Sequence, residues 1–175
     1  ILTERIYSLY NAYKNSEKDI YRSKLEVLKV ISKHECFQER NDEAFEKWLA
    51  NILVTLGYTH PRIDSTQSGD GKDASCLDEK GNRVYVQCKL RQPENFEKES
   101  DRPDLQKLVG AMLVDGVKKG LVLTASTFTA EARNYAKKLP RGYELILVDG
   151  DELMEKLYRI RKLQLEPLLK PLKAD

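Results

Sequence analysis

The sequence has no apolar run approaching the roughly 18 residues that span a bilayer, and nothing at its start has the pattern of a signal peptide. It is also poor in the usual soft metal ligands, with three scattered cysteines (Cys36, Cys76, Cys88), no CxxC spacing and two histidines (His34, His60). A zinc module is therefore not expected, nor is a disulfide framework; reduced thiols in a cytoplasmic protein fit better. Repeats and low-complexity tracts are absent, as is any zinc-finger-like module for reading bases. The net charge is only +2, so nucleic-acid binding requires clustered basic residues rather than a basic composition. What remains is 175 residues, 41% hydrophobic and 33% charged, which describes one globular domain with room for a small appendage. The chain starts at Ile1 rather than Met, which fits an excised domain with further domains of a larger polypeptide outside it. No membrane partner is expected.

The organising stretch runs from Gly69 to Leu90. Val84, Val86 and Cys88 alternate with Tyr85, Gln87 and Lys89, the period of a half-buried strand, so Gln87 and Lys89 share a face. Asp78-Glu79-Lys80-Gly81-Asn82 reads as a turn, which makes the flanking segments a hairpin. A pivot near Lys80 and Gly81 places Asp73 opposite Gln87 or Cys88. A carboxylate, an amide oxygen and an ammonium then converge, as needed to hold a divalent metal beside an anion.

Residues 1–40 show helical spacing at Ile6, Leu9 and Tyr10, and again at Leu25, Leu28 and Ile31, and read as a helical appendage. Asn41 or Asp42 is placed to cap a helix with Phe45, Leu49, Ile52 and Leu53 on its apolar stripe, Trp48 as a packing anchor and Gly57 as its stop. Arg62 to Thr66 is read as a short strand, and Pro93 to Pro103 as an exposed loop. A helix from Asp104, a doubly buried strand at Gly120–Thr124, a helix from Thr129 to Leu139 and a strand at Glu144–Val148 follow. A last helix starts near Asp151, and residues 161–175, broken by Pro167 and Pro171, read as a tail or linker. The expected architecture is α/β, a mixed sheet flanked by helices over residues 41–160.

In order and interval, Phe45-Glu46, the hairpin with Gln87-Cys88-Lys89, Lys119 to Ala132, and Leu145 to Gly150 with Leu153 resemble the catalytic domain of Mrr-like restriction endonucleases. These are a branch of the PD-(D/E)XK nuclease superfamily, and the resemblance covers roughly Asn41 to Tyr158. It implies a restriction-endonuclease-like fold and a Mg²⁺-dependent DNA endonuclease of restriction or phage defence, with Mn²⁺ as a possible substitute. Asp73, Gln87 and the Cys88 carbonyl are the implied metal ligands. Lys89 would orient or deprotonate water and offset charge on phosphorus, and Glu46 would help to place metal or water. The Mrr-like loop Asp-Gly-Gly-hydrophobic-Asp-Gly is one residue shorter here, Asp70-Gly71-Lys72-Asp73-Ala74, which leaves Asp70 as a second choice for the metal carboxylate.

Lys72, Arg91, Arg102 and Lys107 cluster around the active end of the hairpin as candidate phosphate contacts. Ser126, Thr127 and Thr129 precede a helix, where hydroxyls and amides can hold a phosphate; capping by Thr129 is the competing reading. Dimerisation is expected if both strands are cut. A binding module of the same fold without efficient cleavage, or a structure-specific repair nuclease, are the alternatives.

Overall fold

The computed structural model describes residues 4–12, 18–20, 22, 42–64, 71–89, 99–100 and 102–169. Five strands form a mixed sheet in the order β1 (Thr59–Ile63), β2 (Ala74–Leu77), β3 (Arg83–Lys89), β5 (Lys119–Thr124), β7 (Glu144–Val148). The first three are an antiparallel meander, while β5 and β7 run parallel to β3. The parallel half is built through crossover helices α2 (Arg102–Asp115) and α3 (Ala130–Lys137). Helix α1 (Asp42–Thr55) precedes the sheet and α4 (Gly150–Leu169) follows it.

Alternation along the strands divides the interior into two cores, one on each face. Ala74, Cys76, Val84, Val86, Leu121, Leu123 and Val148 face Trp48, Leu49, Ile52 and Leu53 of α1 and Leu153 and Leu157 of α4. Tyr85, Val122 and Leu145 face Leu105, Leu108, Val109 and Met112 of α2, with Phe128 and Ala132. Each fully buried leucine contributes about 1.5–3 kcal/mol, so the sheet is held from both sides. Only residues past the ends of the cores are released for chemistry.

The hairpin forms as its residues require. Asp78 accepts hydrogen bonds from the amides of Lys80 (2.9 Å) and Asn82 (2.8 Å) and from Lys119 Nζ (2.6 Å). The Lys119 bond, followed by those from Asn82, holds its carboxyl well below the ordinary carboxylate range. Helix α1 ends at Gly57, whose φ of +95° lets Tyr58 N–H reach Leu53 O (3.0 Å) and Gly57 N–H reach Val54 O (3.0 Å). Burial, with a smaller push from Asp78, raises the Cys76 thiol to about 11, and Cys76 and Cys88 are both free thiols.

Three sequence expectations need correction. Strand β1 begins at Thr59, not Arg62, and its register shifts between Thr59 and Arg62 around His60 and Pro61. Proline is tolerated there because β1 is an edge strand with a bulge. The expected loop 93–103 contains β4 (Glu99–Ser100), which pairs in parallel with β6 (Thr127–Phe128), and α2 already starts at Arg102. Finally, α4 continues through Pro167 to Leu169, where a proline in the last turn forfeits only one backbone hydrogen bond. Residues 4–12 are helical as expected, with Ile6, Tyr7 and Leu9 exposed, whereas Leu25, Leu28, Ile31 and the cap at Asn41 lie outside the described residues. No described helix is long and apolar enough to cross a membrane.

Candidate active site

Register brings the candidate residues together. Ile63 pairs with Ala74 and Ala74 with Val86, so one step outward Asp64, Asp73 and Gln87 stand opposite one another across β1, β2 and β3. The backbone confirms the row: Asp64 N–H donates to Asp73 O (2.9 Å) and Asp73 N–H to Val86 O (2.8 Å). Cross-strand neighbours share a face, and this one is the face of Tyr85 and Val122, covered by α2. The hairpin pivot thus places Asp73 opposite Gln87, as the spacing predicted.

Asp73 Oδ2 accepts from Gln87 Nε2 at 2.9 Å and from the Cys88 amide at 2.6 Å. Burial raises the Asp73 carboxyl above its ordinary range; the Cys88 and Gln87 bonds and the Lys89 charge pull the other way, and Asp64 adds to the rise. Lys89 Nζ donates to Asp104 Oδ1 at 2.8 Å, both side chains being largely buried. At the strand end, Thr124 Oγ1 donates to Lys89 O at 3.3 Å.

Asp64 and Asp104 are the two acids of this site that sequence reasoning missed. Asp64 falls in the expected strand from Arg62, but no local signal gives the pairing with β2 that sets it opposite Asp73. Asp104 reads in sequence only as a first-turn helix acid, and no local pattern tells that Lys89 reaches it. Lys72 Nζ lies 3.3 Å from Asp64 Oδ2, an ion pair by distance but not aligned as a hydrogen bond. Asp64 Oδ2 is consequently a buried acceptor with no hydrogen-bond partner among the described residues.

The Mrr catalytic-domain family, described as restriction endonuclease, matches residues 37–157, which include this whole constellation. The chain belongs to that family. Over 116 residues it is 33% identical to the Type IV methyl-directed restriction enzyme EcoKMrr of Escherichia coli strain K12. That match covers 63% of this chain and 36% of EcoKMrr, so the chain spans about a third of that relative's length. Among solved structures, it is similar to the DNA modification-dependent restriction endonuclease AspBHI, with a TM-score of 0.57 and 14% identity over 86% of this chain and 40% of that one. The MspJI restriction endonuclease in complex with a 27-mer oligonucleotide gives 0.52 and 14% over 82% and 35%. At such identities the likeness is one of fold, and the fold is restriction-endonuclease-like.

The remaining predicted residues of this Mrr-family domain are dispersed. Glu46 is half-buried on α1, the helix of the opposite core, and no described hydrogen bond or ion pair joins it to Asp73, Gln87 or Lys89. Lys72 is turned inward, 14% exposed, with its ammonium 5.0 Å from the centre of the Tyr85 ring. Arg102 is exposed, pairs with Glu131 at 3.2 Å and lies over Tyr135. Lys107 is exposed on α2. Ser126 is buried and its amide donates to Thr124 Oγ1 at 3.1 Å, Thr127 belongs to β6, and Thr129 caps α3 by accepting from the Ala132 amide at 3.0 Å. Asp70 and Arg91 lie outside the described residues.

The donor set suits a hard dication. Asp73 is a desolvated carboxylate whose charge a cation would offset, beside Asp64, whose buried Oδ2 faces the Lys72 ammonium without a hydrogen bond among the described residues. Among the described residues, no three histidine, cysteine or acidic side chains are grouped so that they could hold a metal ion by themselves.

Proposed function

We propose that this domain is a metal-dependent endonuclease that hydrolyses DNA phosphodiester bonds, the cutting unit of a larger restriction or anti-phage protein working in the cytoplasm. The observation that carries the reading is the meeting of Asp73, Gln87 and Lys89 on one sheet face just beyond the core. Family membership supports the same chemistry.

In this reading Asp73, the Gln87 amide oxygen and the Cys88 carbonyl hold Mg²⁺, with Mn²⁺ as a substitute. When bound, the ion would polarise a phosphoryl oxygen and activate water. Gln87 now gives its N–H to Asp73; turning the amide about its terminal bond exchanges nitrogen for oxygen, so one side chain serves the carboxylate with or without a cation. Asp64 adds negative charge to the row. Lys89 supplies the ammonium that offsets charge building on the phosphate and orients the attacking water. Glu46, carried by α1, is assigned the placing of metal or water on the family resemblance alone. Lys107, Arg102 and Arg91 contact phosphates, as do the hydroxyls and amides of the Ser126–Thr129 stretch. Lys72, already engaged with Asp64, ties the start of β2 to the end of β1. Two copies act together when both strands are cut. The relative's methyl-directed restriction suggests modified DNA as the target class.

The test is nicking of supercoiled plasmid with Mg²⁺, Mn²⁺ or EDTA, comparing the wild type with Lys89→Ala. Metal-dependent nicking that is lost in the variant is the expected result. Equal activity in both proteins would place the activity elsewhere, and DNA binding without cleavage in any metal would make the domain a binding module.

A further inference from the structure

Lys89 is the last residue of β3, and its two ends are held separately. Its backbone is fixed by Thr124, whose Oγ1 donates to the Lys89 carbonyl and accepts from the Ser126 amide. Its ammonium is fixed by Asp104 at 2.8 Å. Two anions therefore compete for one flexible four-carbon side chain. Asp73 is the other, hydrogen-bonded to Gln87, whose face of β3 Lys89 shares one pleat further on. If Asp73 were the only nearby anion, the ammonium would fold onto the carboxylate that a cation needs.

We propose that Asp104 is the positioning residue for Lys89, holding its ammonium beside Asp73 rather than on it, so that the acid and the lysine act as separate groups. The proposal rests on the nuclease reading above. Asp104 is suited to the task in three ways. It lies in the first turn of α2, where the helix N-terminus favours a carboxylate. Its neighbour Leu105 is fully buried, which fixes the backbone that carries it. The pair itself is only 17% and 19% exposed, so water competes weakly for either partner.

The test uses the 175-residue chain with Asp104→Asn, Asp104→Glu, Lys89→Ala and the Lys89→Ala/Asp104→Asn double variant. Single-turnover nicking by Asp104→Asn should fall by about 10²-fold, the scale of a misplaced reacting group. DNA affinity in EDTA should stay near wild type, while the melting temperature should fall, since a largely buried ammonium loses its partner. Asp104→Glu should restore part of the rate, and the double variant should be no slower than Lys89→Ala alone. In NMR spectra of ¹³Cε-lysine-labelled protein, the Lys89 methylene resonance should move in Asp104→Asn, and the move should change when Asp73→Asn is added, since the released ammonium turns to Asp73. Unchanged or faster cleavage by Asp104→Asn, losses that multiply in the double variant, or a Lys89 resonance that does not move without Asp104 would each overturn the proposal. If the wild type itself cuts nothing, the nuclease reading fails, while the NMR comparison still decides whether Asp104 holds Lys89.

Discussion

Burial pushes the Asp73 carboxyl up further than the Cys88 amide, the Lys89 charge and the Gln87 amide pull it down. The sign of the consequence follows from linkage. Between the unfolded and the raised folded pKa, the native state keeps a proton that the unfolded chain has lost. The group's contribution to stability is therefore greatest at low pH and declines as pH rises through that interval. Above that interval the desolvated carboxylate weakens the fold, a cost that the proposed metal site would offset. Asp73→Asn should raise unfolding stability at pH 8 without metal by about 1 kcal/mol, typical of relieving a functional site, and the gain should shrink toward pH 4. Urea unfolding at both pH values checks this. A bound dication reverses the balance: Mg²⁺ at a hundred times its Kd should stabilise the wild type by about 2.7 kcal/mol, and Asp73→Asn much less, as read by thermal melting.

The loop before β2 is set by Gly71, whose φ is +77° and whose missing Cβ would come 2.7 Å from the Lys107 carbonyl oxygen of α2. Gly71→Ala should cost at least about 1–2 kcal/mol from the left-handed backbone alone, and more from the contact. Nicking should drop as well, since Asp73 follows two residues later. Thr129→Ala should lower stability by about 1 kcal/mol through the lost cap of α3, and Thr129→Ser should not; a loss of DNA affinity in Thr129→Ala at unchanged stability would favour a phosphate contact instead. Elements whose signals are local were legible. The alternation from Val84 to Lys89 and the turn at Asp78 gave the hairpin and its register, and the apolar run at Gly120 gave the buried strand. What failed depended on context: Pro61 is permitted only because β1 is an edge, and Glu99–Ser100 becomes a strand only because Thr127–Phe128 lies beside it. Lys72 looked like an open cation because sequence gives no hint that Asp64 and the Tyr85 ring enclose it.

At the scale of the whole molecule, several cations of the described residues are already paired: Lys72 with Asp64, Lys89 with Asp104, Arg102 with Glu131 and Arg133 with Asp149. With 30 basic against 28 acidic residues, the chain brings little excess positive charge to phosphates. Its DNA affinity should accordingly fall with salt at a log–log slope no steeper than about −3, the signature of roughly three neutralised phosphates. Fluorescence anisotropy from low to physiological salt measures that slope, and a steep one would mean that the internal pairs open on DNA. Helix α2 meets the site at two points, through the Lys107 backbone against Gly71 and through Asp104 against Lys89. For protein engineering this sets the smallest transplantable unit. A hairpin of Asp73 to Lys89 moved to another scaffold carries the reactive groups without their mount. The portable piece is the hairpin extended to Gly71, together with α2 and the Thr124 end of β5 that holds the Lys89 backbone.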